Sequence, residues 1–268
     1  MAWSNKRIVL AVLLLLLLLT GGLLVGFWLA RDRLSAALGL SPGGGLIAHE
    51  PFDYGAGIAL AGQQGGHGFG GAWEPGGFNT RNSEVFQMKP GPLTYSNLAV
   101  SGSDHLSIDL PIDGGSAICG VGRHLGRDLA VPGTTCYLSF LYRPDAEGGY
   151  GSVVVGTGEG RELSIGRSTS GAPFHISQRG GTGRVFSRHD AVVGETFFIV
   201  VKMEFTDGPD RFTLFINPAP GQPEPAGEAI KEDLDLTSAT HLFLYSRSAW
   251  SVDELRLGRT WASVTPRR

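Results

Sequence analysis

The chain has 268 residues and a formal net charge of −3, with no basic cluster beyond its N-terminal apolar segment. That charge distribution leaves no electrostatic footprint for nucleic acid and excludes nucleic-acid binding as a function class. Glycine is abundant at 41 residues, but the glycines do not recur every third position, which excludes a collagen-like repeat.

The first feature along the chain is an apolar run over residues 8–30, with unbroken leucine over 13–19. A helix of about 20 apolar residues at about 1.5 Å each spans a hydrocarbon core, so the run predicts a transmembrane helix. A cleaved signal peptide is the competing reading, because Lys6 and Arg7 precede the run. Secretory apolar cores are shorter and end at a small-residue site, whereas this one ends at Phe27-Trp28-Leu29-Ala30 before Arg31-Asp32-Arg33. The expected organisation is a short cytoplasmic tail over 1–7, a single-pass anchor over 8–30, a juxtamembrane linker over 31–45 and an extracytoplasmic domain over 46–268. Ser41-Pro42-Gly43-Gly44-Gly45 ends any outward continuation of the helix. The membrane is thus the first predicted partner, and the domain faces the periplasm or the cell surface.

The rest, roughly 220 residues, suits one all-β unit. Strands are expected over 93–100, 105–110, 116–125, 134–142, 152–156, 162–166, 174–178 and 184–187. The clearest period-2 signal covers 196–205, where Phe197, Ile199, Val201, Met203 and Phe205 share one face. Asp207-Gly208-Pro209-Asp210 turns the chain into a second alternating segment over 211–217, predicting a hairpin. Late strands fit 241–245 and 252–257. Many short strands, glycine-rich turns and no helical period after the anchor predict an antiparallel jelly-roll β-sandwich.

The two cysteines, Cys119 and Cys136, fall in consecutive predicted strands. An exported compartment would let them pair, and the alternative is two separately buried thiols.

Several motifs resemble a known family. Glu50-Pro51-Phe52-Asp53-Tyr54 and the glycine-rich 60–73 segment ending in Trp73 come first. Tyr137-Leu138-Ser139-Phe140-Leu141, Val200-Val201-Lys202-Met203-Glu204-Phe205, Phe215-Ile216-Asn217-Pro218 and Val252-Asp253-Glu254-Leu255-Arg256-Leu257-Gly258 with Trp261 follow in order. Together they resemble concanavalin A-like, LamG-type jelly-roll domains of exported bacterial surface proteins, those of planctomycete-like bacteria in particular. The resemblance spans nearly all of 50–266 and implies a fold and a surface location. Its members include carbohydrate-binding, adhesive and enzymatic proteins, so it leaves activity open.

Retaining glucanases of similar fold carry a Glu-x-Asp-x-Glu strand, which places two carboxylates on one face. This chain lacks it. Asp233 and Asp235 have the spacing but lie in a polar stretch read as loop, and Asp253 and Glu254 are adjacent, so a regular strand would point them apart. Gly39-Leu40-Ser41-Pro42-Gly43 matches a nucleophile elbow without the preceding strand, and Gly66-His67-Gly68-Phe69-Gly70-Gly71 matches a dinucleotide fingerprint without the following helix. The seven histidines form no zinc spacing, so no cofactor is expected, with calcium left as the alternative although no Asp-rich loop supports it. Among the aromatic residues Trp73, Tyr95, Trp250 and Trp261, Trp250 is the ligand-stacking candidate because it follows a polar loop. The expected function is non-enzymatic: a membrane-tethered module recognising a glycan or an envelope protein, or serving structural display. A carbohydrate-active enzyme of glycoside hydrolase type on the same fold is the alternative.

Overall fold

The computed structural model describes residues 45–76, 83–110, 118–167 and 173–268. The predicted anchor at 8–30 and its flanks lie outside the described residues. Among the described residues no helix is long and apolar enough to cross a membrane.

Among the described residues fifteen strands form two antiparallel sheets, and the only α-helix is one turn, Trp261–Val264. The first sheet runs β13 (Ala229–Leu234), β12 (Asp210–Ile216), β11 (Phe197–Glu204), β6 (Thr135–Pro144), β15 (Trp250–Gly258), β4 (Asp104–Ile108) and β3 (Phe86–Pro90). In addition, β1 (Leu46–Glu50) pairs with the later part of β15. The second sheet runs β10 (Val185–Asp190), β9 (Pro173–Gln178), β8 (Leu163–Arg167), β7 (Gly151–Gly156), β14 (His241–Ser246), β5 (Cys119–His124) and β2 (Glu74–Pro75). This is an all-β, jelly-roll-like sandwich, as the alternation predicts. The predicted hairpin pairs Ile199 with Ile216 and Glu204 with Arg211.

The core lies between the sheets because alternate residues of both supply it. Leu138, Phe140 and Tyr142 of β6, Ile199 and Val201 of β11, and Val252, Leu255 and Leu257 of β15 face Val153, Ile165, Ile176 and Leu244 of the second sheet. A second apolar cluster covers the outer side of the first sheet, where Leu93 and Leu98 pack on Leu141, Phe198 and Val200. The stretch predicted as a strand over 93–100 is therefore irregular chain laid across a sheet face. Leu93 and Leu98 are buried against that face, the backbone makes only an isolated bridge from Leu98 to Arg267, and Ser96 turns at φ 45°. Conversely, the stretch containing Asp233, read from sequence as loop, is the edge strand β13. Lys231 occupies an inward position there, its ammonium donating to Gly183 O at 2.6 Å, and an inward charge is a known protection for an unpaired edge.

The two cysteines are free and buried, which corrects the reading of a disulfide between neighbouring strands. Consecutive in sequence, β5 and β6 belong to opposite sheets. Cys119 begins β5 and Cys136 is the second residue of β6, so the two thiols are carried by different layers of the sandwich.

Trp250, expected to be an exposed ring, is 1% exposed. It stacks on Tyr142 at 4.7 Å and 20° between planes, and Tyr142 meets Phe174 edge-on at 5.4 Å. A stacked sugar needs an open ring face, so Trp250 serves packing. Trp73 and Trp261 are likewise buried, their indole N–H groups donating to Glu50 and to Gln222 O.

Two ionic centres join the architecture. In β15 the register to β6 slips by one residue between Asp253 and Arg256, a β-bulge with Glu254 at φ 51°. The bulge overrides the rule that adjacent strand residues point apart, and both carboxylates become buried. Glu254 accepts from Ser101 Oγ at 2.9 Å, pairs with His49 Nε2 at 2.8 Å and contacts Arg256. Burial alone would raise its pKa, but the His49 hydrogen bond and the Arg256 charge outweigh it and hold the group at about 2. Asp253 moves the other way: burial and the adjacent Glu254 charge push it well up, despite N–H donors from Leu93 and Glu254. The two adjacent carboxyl groups are thus shifted in opposite directions.

The second centre is Glu50, fully buried. Its Oε2 accepts from Tyr54 Oη at 2.7 Å, Trp73 Nε1 at 2.9 Å and Arg123 Nη1 at 2.6 Å, while Oε1 accepts from Phe52 N at 3.0 Å. Glu50 belongs to the first sheet and Arg123 to the second, so this ion pair crosses the sandwich.

Two outcomes follow from these centres. Arg123→Met leaves the Glu50 carboxylate buried without its counter-ion and should cost about 3–5 kcal/mol in urea unfolding, with much of it regained in Arg123→Met/Glu50→Gln. Glu254→Gln should cost ~3 kcal/mol near pH 7, since a carboxylate held at about 2 contributes above its unfolded value of 4.5. Because the folded value is the lower one, the difference between the two proteins should shrink as pH falls from 4.5 toward 2.

Candidate functional site

The outer face of the second sheet carries the polar groups that packing does not consume. Strand alternation sends Leu242 and Leu244 of β14 inward and leaves His241, Phe243 and Tyr245 outward. These three rings form a ladder: His241 and Phe243 lie 5.7 Å apart at 13°, and Phe243 and Tyr245 lie 5.7 Å apart at 25°. Glycines flank the ladder. Gly122 pairs with Phe243, and a Cβ there would sit 2.4 Å from the ring, so only glycine lets Phe243 lie across β5. Gly156 pairs with His241, and a Cβ there would meet Glu162 Cγ at 2.4 Å. Glu162 therefore arches over β7 toward the rings.

At this end of the sheet the loop before β2 and the turn between β7 and β8 enclose a cleft of about 520 Å³, with Glu74 on one side and Glu159 on the other. Phe243, His241, His124 and Gly122 form the floor. Both carboxylates are exposed, and neither makes an ion pair among the described residues. His124 meets His241 edge-on at 4.9 Å. Its Nδ1 accepts the Gly126 N–H at 2.9 Å, which leaves the proton on Nε2. Burial and the neighbouring His124 lower the pKa of His241, against the opposing pull of Glu74 and Glu162, so His241 is neutral at pH 7.

The cleft wall is tied to the core. Arg123 follows Gly122 and points inward, its Nε donating to Gly71 O at 2.7 Å while Nη1 holds Glu50. Gly70 N donates to His124 O at 2.8 Å. The guanidinium lies 4.3 Å over the Phe69 ring, which fixes it in place. The match at 66–71 to a dinucleotide fingerprint is thus a turn. No helix follows it, and Gly68 at φ 83° lets the chain approach Ile47 O.

Behind the cleft runs a buried polar strip. Glu162, fully buried, receives Arg179 Nη1 on Oε2 at 2.7 Å, and its Oε1 has no hydrogen-bond partner. Arg179 lies 4.6 Å over the Tyr245 ring. Tyr150, Ser152 and Ser164 form a hydroxyl chain. His175 Nδ1 is buried without a partner, and burial with the Arg184 charge lowers its pKa to about 4. Among the described residues no three His, Cys, Asp or Glu side chains are placed to hold a metal ion.

Of the motif residues singled out in the sequence, Gly70 and Gly71 of the fingerprint match line this cleft, and the candidate carboxylates do not. Asp233 is on β13 of the other sheet, and Asp253 and Glu254 are buried in the bulge. The elbow-like match at 39–43 falls outside the described residues. The signal that marks the cleft is the pattern His241-Leu242-Phe243-Leu244-Tyr245, which places three rings on one strand face.

No protein-family model matches the chain, and no curated protein matches it. Solved structures do share the two-sheet architecture. An endo-1,3-beta-glucanase from Streptomyces sioyaensis is 10% identical, with 79% of this chain and 95% of that chain covered and a TM-score of 0.47. SCLam, a non-specific endo-beta-1,3(4)-glucanase from family GH16, is 12% identical, covering 80% and 91% at 0.43. Alginate lyase vAL-1 from Chlorella virus is 8% identical, covering 67% and 95% at 0.35. At these identities the likeness is one of fold, and the narrower likeness to LamG-type surface proteins finds no family match. The expectation that the domain is not an enzyme is corrected here: the solved structures sharing its fold are mostly carbohydrate-active enzymes.

Proposed function

We propose that the chain is a carbohydrate-active enzyme of glycoside hydrolase type, with residues 8–30 holding it to a membrane and the sandwich facing outward. The observation that carries the reading is the cleft: Glu74 and Glu159 line it, neither in an ion pair among the described residues, above a floor of aromatic rings and glycine. A ring face suits the apolar face of a sugar. Breaking a glycosidic bond needs two carboxyl groups, one to protonate the leaving oxygen and one to act on the opposite side. The atoms balance with water alone, the anomeric carbon gaining a hydroxyl and the leaving sugar a proton. His241, neutral between the rings and the carboxyl groups, orients the sugar by hydrogen bonding.

The pair comes from a two-residue edge strand and a hairpin turn, with no Glu-x-Asp-x-Glu strand. This places the chemistry at the end of the sheet instead of along one strand. The solved neighbours include glucanases, which agrees with a polysaccharide substrate.

The test is release of reducing ends from a panel of β-glucans, mannans, xylans and amino-sugar polymers. Glu74→Gln and Glu159→Gln should each lower kcat by about 100-fold or more while KM changes little. Both side chains are exposed and free of ion pairs, so melting temperatures should stay near that of the parent. Absence of cleavage across the panel, or full activity in both variants, would remove the proposal.

A further inference from the structure

At the end of β7 away from the cleft, inside the sandwich, we infer a binding site for a small monovalent anion of halide type, held by Arg167 and Trp250 beside Gly151. It does not depend on how the cleft is read. Strand alternation turns Arg167 of β8 and Gly151 of β7 to the inner side, with Ile165 and Val153, and Tyr142 of β6 and Trp250 of β15 meet them from the facing sheet. Gly151 is the meeting point. Arg167 pairs with it across the β7–β8 ladder. A Cβ there would fall 2.8 Å from Trp250 Cδ1, the ring atom bonded to the indole nitrogen, and 2.7 Å from Tyr142 Oη.

Two donors at this point lack acceptors. Arg167 is 2% exposed and Trp250 1%, and neither Arg167 Nε nor Trp250 Nε1 has a hydrogen-bond partner among the described residues. The buried indoles of Trp73 and Trp261 each place their N–H on an acceptor, so Trp250 is the exception. Arg167 Nη2 donates to Ala146 O at 3.0 Å and to Gly148 O at 2.7 Å, the latter carbonyl turned inward where Gly148 and Gly149 take φ 76° and 85°. These carbonyls are neutral and leave the guanidinium charge without a counter-ion. Asp145, whose charge opposes that of Arg167 at the Tyr142 hydroxyl, is held by Arg143 and Ser251. Further out, Asp109, Glu147, Asp190, Glu195 and Arg247 are exposed, where water screens them.

A buried cation without a counter-ion costs several kcal/mol. An acceptor-only ion bonded to both N–H groups removes that cost, whereas water would satisfy the donors and leave the charge. A methyl group already clashes at Gly151, so the crowding selects a monatomic ion over phosphate or a carboxylate. The turn over the site is half-buried at Ala146, Gly148 and Gly149 and exposed at Glu147, so opening there admits the ion without unpacking the core.

The experiment is thermal unfolding of the full chain in detergent micelles at constant ionic strength, with bromide exchanged for gluconate or acetate. Bromide at 100 mM should raise Tm by about 5 °C over bromide-free buffer, the shift given by a Kd of about 1 mM in a domain of this size. Arg167→Gln should abolish the bromide dependence. Trp250→Phe keeps a ring on Tyr142 and removes the N–H, so it should fold and bind bromide about tenfold more weakly. Arg247→Gln, an exposed cation on a neighbouring turn, should keep the full shift. A crystal grown in bromide should show its anomalous scattering between Arg167 and Trp250. Equal Tm in bromide and gluconate, or an equal rise in acetate, would overturn the inference. So would an undiminished shift in Trp250→Phe, which decides alone should Arg167→Gln not fold, or a water at that position in the bromide crystal.

Discussion

The Glu50 carboxylate, buried between the sheets, is the constraint on which the domain turns. Removing an ionised carboxyl group from water costs several kcal/mol, and the cost is offset only when charge and hydrogen bonds surround it closely. Here four donors do so, from Phe52, Tyr54, Trp73 and Arg123. They come from three local structures: the loop after β1 for Phe52 and Tyr54, the long connection into β2 for Trp73, and β5 of the opposite sheet for Arg123. The carboxylate therefore fixes how far apart the sheets lie at that edge and where the glycine-rich 60–73 chain must run. A hydrophobic residue at position 50 could fill the same volume, but it could not dictate the path of that chain.

His49, the preceding residue, points the other way and meets the Glu254 bulge. Adjacent residues of one five-residue strand thus reach two ionic centres on opposite faces of the first sheet. The bulge gives Glu254 the positive φ that turns its side chain under the 101–102 loop, and Ser101 then closes over it. The short first strand is held at both faces, which makes its long-range pairing with β15 specific in register.

Much of the sandwich was legible in the sequence because alternation reports burial directly. The Phe197 to Phe205 alternation and its hairpin partner survive unchanged in the structure. Alternation does not say what lies on the buried side, however. Leu93 and Leu98 are apolar because they cover a sheet, and Lys231 looks like loop because an edge strand is protected by charge. Trp250 follows a polar loop, yet its ring turns into the core to stack on Tyr142, a choice made by tertiary packing. The cleft was the least legible part. Glu74, His124, Glu159 and His241 come from four separate segments, and their meeting depends on a strand order in which β14 lies between β5 and β7. No local spacing encodes that order. Cys119 and Cys136 illustrate the converse, since closeness in sequence placed them in opposite sheets.

The floor glycines carry one more consequence. Phe243 lies low because Gly122 has no side chain, and Glu162 leans across β7 because Gly156 has none. A single methyl group at either position would lift a ring or displace a carboxylate without touching the core, the sheet register or either ionic centre. The depth of the cleft is thus set by two missing methyl groups. This scaffold can open or lose a binding surface through one-residue changes at those positions while the sandwich beneath stays the same, which uncouples the history of its site from the history of its fold.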